Sequence, residues 1–133
     1  MSDSWRQIEG LALGRALRIT RREADWLFQF DGELFLCVEA SWRLRNSERI
    51  LLTDSDDAQR FGFRAPIDAE QRANALLEGN TVAAFEHDDS TADLRFLLSD
   101  GTTVEILTDS SGYESWQAYA GELLAVGANG GLR

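Results

Sequence analysis

The densest run of side chains able to do chemistry is Thr53-Asp54-Ser55-Asp56-Asp57. Carboxylates at alternate positions open a calcium-binding loop, but such a loop needs Gly at its sixth position and a bidentate Glu at its twelfth. Counted from Asp54, those positions hold Gln59 and Ala65, so the run reads as a solvated acidic loop. His87, the single histidine, stands beside Asp88 and Asp89, the pairing from which general bases are built. Its place at the end of an expected strand, just before a turn, suits a surface imidazole better. Ser110-Ser111-Gly112 offers hydroxyls without the strand-turn-helix setting of a nucleophile elbow. Cys37, flanked by Leu36 and Val38, reads as inert strand packing, and one cysteine makes neither an internal disulfide nor a cysteine-built zinc site. The glycine-rich stretch 127–131 is not followed by a helix whose N-terminus would hold a phosphate, and it reads as a frayed tail. The expectation is that there are no catalytic residues, no metal ligands and no cofactor.

Charge says more. The chain holds 13 basic residues, all arginine, against 23 acids, a net charge of −10. Residues 1–65 carry 10 Arg and 11 acids, a net of −1, whereas 66–133 carry 3 Arg and 12 acids, a net of −9. Nucleic-acid affinity rests on neutralising phosphates with cations, so this balance argues against that partner. Arginine without lysine, beside abundant Ala and Gly, matches the coding bias of a GC-rich bacterial genome. No apolar run approaches the roughly 20 residues of a membrane span, and Met-Ser-Asp-Ser-Trp is not a signal-peptide start. A soluble, cytoplasmic protein is expected, and its 133 residues suffice for a single domain.

The elements that would position these residues are mainly strands. Leu34, Leu36, Val38, Ala40, Trp42 and Leu44 alternate along one apolar face of a strand spanning 34–44. Trp26, Phe28 and Phe30 alternate before Asp31-Gly32, a hairpin-turn dipeptide, so 26–30 and 34–44 are expected to pair antiparallel. Further strands are expected at 16–21, 49–53, 81–86, 93–98, 103–107, 114–119 and 122–126. A helix over 68–78 has Asp68 as N-cap, Gln71 as capping-box partner and Gly79 as its stop, and a weaker helix covers 5–13. The fold class is therefore α+β, mainly an antiparallel β-meander with one or two short helices. Residues 1–65 and 66–133 run in parallel at an offset near 65, Leu11 and Leu17 falling opposite Leu76 and Val82. They read either as a duplication or as two meanders alike in outline.

Trp26-Leu-Phe-Gln-Phe with Asp31-Gly32, then Leu76-Leu-Glu-Gly79, and above all Gly112-Tyr113-Glu114-Ser115-Trp116 resemble a family of small uncharacterised bacterial proteins. That resemblance implies no activity and no site residues. In size and acidity the chain is also similar in general character to immunity proteins of bacterial toxin systems. The leading reading is a non-catalytic protein-binding module with an acidic surface for a basic protein partner. Tyr113 and Trp116 would be its aromatic anchors, rimmed by Asp88, Asp89, Asp109 and Glu114. Two other readings are a small metal-assisted hydrolase using Asp54, Asp56 or Asp57 with His87, and a structural homodimer. In the homodimer, Arg18, Arg21, Arg22, Arg43, Arg45 and Arg49 would face the acidic half of a neighbour.

Overall fold

The computed structural model describes residues 3–128, 131 and 132. Helix α1 (Asp3–Ala12) is followed by β1 (Leu17–Arg21), β2 (Trp26–Phe30), β3 (Phe35–Val38), β4 (Ser41–Arg45) and β5 (Ile50–Thr53). After a turn of 3-10 helix (Asp54–Asp56) come α2 (Ala69–Leu77), β6 (Val82–His87), β7 (Leu94–Leu98), β8 (Thr103–Leu107), β9 (Glu114–Ala120), β10 (Glu122–Ala128) and β11 (Gly131–Leu132). The class is α+β, with antiparallel sheets and two short helices.

Each helix lies where its sequence calls for it. Asp68 accepts the Gln71 N–H at 3.1 Å, satisfying one of the donors that open a helix, and Ala69, Ala73 and Leu77 bury one stripe of α2. Helix α1 buries Trp5, Ile8 and Ala12 and begins two residues earlier than expected, with Asp3 in its first turn, where a carboxylate suits the helix dipole. The Asp31-Gly32 turn joins the sheet as expected, with Gly32 at φ +116°, where a side chain would be strained. The tail departs from expectation: β11 folds back on β10, pairing Gly127 with Leu132 and Ala128 with Gly131. Asn129 and Gly130 lie outside the described residues.

The larger correction concerns the meander. The expected strand over 34–44 is two strands, β3 and β4, broken at Glu39-Ala40 and lying in different sheets. One sheet has the order β1-β2-β3-β9-β10-β11 and the other β5-β4-β8-β7-β6. Leu34, Leu36, Val38, Ala40, Trp42 and Leu44 are nevertheless all buried, because the inner face of one sheet continues around the corner into the inner face of the other. Residues 1–65 thus give three strands to the first sheet and two to the second, and 66–133 give three to each.

The sheets face each other across one continuous cluster of buried apolar residues. Trp26 and Phe28 of β2 meet Trp42 of β4 edge-on, and Phe30 of β2 meets Phe96 of β7. Helix α1 covers one open side, against β6 and β10, and α2 covers the other, against β1 and β5. No helix among the described residues is long and apolar enough to cross a membrane.

Candidate functional site

Strand register determines which loops share an end. In one sheet, His87 pairs with Leu94, Leu94 with Ile106, Leu107 with Ser41, and Arg43 with Thr53. The turn 88–93, the loop 108–113, the start of β4 and the 3-10 turn therefore come together. In the other sheet, Arg21 pairs with Trp26, Trp26 with Val38, and Val38 with Trp116, so the turn 22–25 and the start of β9 share an end too. Side chains tie the two ends into one. Asp109 accepts from the Ser41 N–H and hydroxyl, Asp54 from the Trp42 N–H, and Asp93 from the Thr108 N–H at 2.7 Å. Arg21 reaches Asp57 at 3.4 Å.

This end collects Glu23 and Asp25, Glu39, Asp54, Asp56 and Asp57, Asp88, Asp89 and Asp93, and Asp109 and Glu114. Most of these carboxylates hold their own loops. Asp88 accepts from the Ser90 hydroxyl and N–H and the Thr91 N–H, and these bonds hold its carboxyl below the usual range. Asp56 accepts the Thr53 N–H and Asp57 the Ala69 N–H, which welds the acidic loop to α2. Burial pushes Asp54 above its ordinary value, only partly offset by the backbone N–H groups around it. Hydrogen bonds to neutral N–H groups do not cancel a carboxylate's charge, so a strong negative field remains at this end.

Of the expected site residues, Asp88, Asp89, Asp109 and Glu114 share this end, and Tyr113 is 82% exposed there. Trp116 does not belong with them. It is fully buried, and its indole N–H donates to the Ala92 carbonyl at 2.8 Å, so it is a core ring and offers no surface anchor. The expected turn at Asp100 lies at the opposite end, held by Asn80.

The sequence reading missed Glu23, Asp25 and Glu39, which lie around a cleft of about 310 Å³ beside β2. Glu23, Asp25, Glu39, Asp54 and Asp57 line it together with Arg21, Arg22 and Trp26. Arg22 forks onto both oxygens of Asp25 and reaches the Cys37 sulfur at 3.2 Å, while the Arg21 guanidinium lies 5.7 Å from the Trp26 ring centre. These acids come from the near-neutral first half, whose arginines masked them in a count along the chain.

Two other expectations find separate places. His87 stacks on Trp5 at 4.1 Å, with its Nε2 2.9 Å from Asp89. Asp54, Asp56 and Asp57 are engaged with Trp42, Thr53 and Ala69 instead of with the histidine, and no group of three or more potential metal ligands occurs among the described residues.

On the sheet away from the acidic end's loops, Glu105 is buried and accepts from Arg43 at 2.6 Å and Arg45 at 2.8 Å. Burial works to raise its pKa, but the two guanidiniums outweigh it and hold the carboxyl below its usual range. A lowered folded pKa stabilises above the unfolded value, about 4.3, and that stabilisation is lost as pH falls through the folded value. Both arginines are about a third exposed, which reduces the effect through solvent screening. Glu105→Gln is expected to lower stability by about 1 kcal/mol at pH 7, a gap that closes below about pH 4. Urea unfolding of both proteins across pH measures it, and a gap independent of pH would contradict the charge argument.

Comparison of the chain with protein-family models, curated proteins and solved structures gives no match.

Proposed function

We propose that the carboxylate-rich end is the binding face of a non-catalytic protein-binding module whose partner is a basic protein, in the manner of an immunity protein and a basic toxin. The observation supporting this most is the gathering of acids from separate connections around an exposed Tyr113 and a cleft that includes Trp26. A field of one sign steers an oppositely charged partner into encounter, while an exposed tyrosine and an acid-lined aromatic cleft suit the stem and head of an arginine or lysine. The same field repels phosphate backbones, so nucleic acid is not a partner in this reading.

The hydrolase alternative has no observation in its favour, since its histidine and its acids are engaged apart. The chain is read as a single domain, and a shared order in the two halves, a helix, three strands in one sheet and then the remaining strands in the other, supports an ancestral duplication.

Isotope-labelled chain titrated with an arginine-rich peptide tests the reading. Chemical-shift changes are expected at residues 22–25, 39–41, 88–93 and 108–114, and Glu23→Lys with Asp89→Lys is expected to weaken binding about tenfold. Changes spread evenly over the surface, or centred on the opposite turn at 46–49, would remove it.

A further inference from the structure

Five of the arginines are held in ion pairs. Arg21 pairs with Asp57 and Asp68, Arg22 with Asp25, Arg43 and Arg45 with Glu105, and Arg95 with Glu86. These pairs consume most of the arginines that the homodimer reading assigned to a basic face. Among the described residues Arg6, Arg15, Arg18 and Arg49 have no carboxylate within ion-pair distance, and neither do Arg60, Arg64 and Arg72.

The last three converge on the connector between the halves. Arg60 and Arg64 flank Phe61-Gly62-Phe63, and Arg72 and Phe63 line one groove of about 480 Å³ beside α2. Phe61 is 66% exposed and Phe63 58%. The loop is not slack. Ala58 N–H donates to Ile67, Ile67 N–H to Gln59, and Phe63 N–H to Arg60. Phe61 is held at φ +45°, a conformation bulky residues rarely adopt, and such local strain persists only where the surroundings fix it. Two exposed rings in a pre-ordered loop lose little freedom on binding, which is what an interface anchor requires.

We infer that two copies of this chain associate about a two-fold axis, each docking its Arg60–Arg64 loop against the acidic end of the other. Charge complementarity selects the occupant: three guanidiniums without carboxylate partners match the negative field around Tyr113. Position selects the symmetry. The loop springs from Asp57 and ends at Asp68, both bound to Arg21 at the acidic end, so loop and acceptor are neighbours on one molecule. Neighbouring complementary patches let two copies exchange contacts and close at two, whereas distant patches would propagate. The inference goes beyond the proposed function and stands without it, because the acceptor here is a second copy, whatever else that end binds.

Sedimentation of the full chain tests it. A dimer is expected at micromolar concentration in low salt, dissociating as salt is raised. Phe61→Ser with Phe63→Ser, and separately Arg60→Glu with Arg64→Glu, should weaken association at least about tenfold with unchanged melting curves, since these side chains are solvent-facing. Glu23→Arg with Asp89→Arg should likewise dissociate the dimer, and mixing that protein with the Arg60→Glu/Arg64→Glu protein should restore a heterodimer. A monomer at high micromolar concentration and low salt overturns the inference. So does a dimer indifferent to these changes, or an open series of larger species.

Discussion

Trp116→Ala is expected to lower the unfolding free energy by about 3–5 kcal/mol, the largest loss foreseen for one substitution in this chain. The ring is fully buried, lies 6.0 Å from Trp5 of α1, and crosses from one sheet to the β6–β7 turn through its bond to Ala92. Alanine would leave a cavity among α1 and both sheets and strip the Ala92 carbonyl of its donor. A fall in melting temperature of roughly 10–20 °C should accompany it. Trp116→Phe keeps most of the packing and loses the hydrogen bond, so about 1–2 kcal/mol is expected. Urea unfolding followed by far-ultraviolet circular dichroism measures both, and a loss below about 1 kcal/mol for alanine would show that the ring is not a keystone of the core.

Gly127→Val is the second large effect, and its cause is steric. Gly127 pairs with Trp116 across β9 and β10, and a Cβ there would run into the indole. Valine favours strands, so propensity alone predicts a gain, whereas collision predicts a loss of about 1–3 kcal/mol. The two are separable by a double-mutant cycle. In a Trp116→Leu background the indole is gone and the collision with it, and Gly127→Val should cost less, with a coupling of at least about 0.5 kcal/mol. Equal costs in both backgrounds would refute the contact.

These two residues mark where sequence reasoning reached and where it stopped. Alternation through Leu34, Leu36, Val38, Ala40, Trp42 and Leu44 identified buried residues correctly, because period two depends only on which side of the backbone faces the core. The same alternation concealed the break at Glu39-Ala40, since the chain changes sheet without changing face. In β9, Glu114, Ser115 and Gln117 put polar groups on both faces, so the phase that buries Trp116 could not be read. Sheet order was equally hidden, because β3 meets β9 through long-range pairing that leaves no local mark. The acidic end was half legible. Its second-half carboxylates were named from the turns, while Glu23, Asp25 and Glu39 were averaged away by the ten arginines of the first half, of which Arg21 and Arg22 line the same cleft.

The exchange of strands between halves bears on how the protein is made. Glu39 and Gln117, joined across the corner, are 78 positions apart. At a synthesis rate of about 5–20 residues per second, β3 waits several seconds for β9, its neighbour in the finished sheet. During that interval β1, β2 and β3 form an incomplete sheet faced only by β4 and β5, because β8, which flanks β4 in the opposing sheet, is also unmade. Neither sheet is therefore complete when the chain is at its midpoint. Emergence from the ribosome exposes a sticky, half-built surface, and the interval before β9 arrives is when holding by a chaperone matters most.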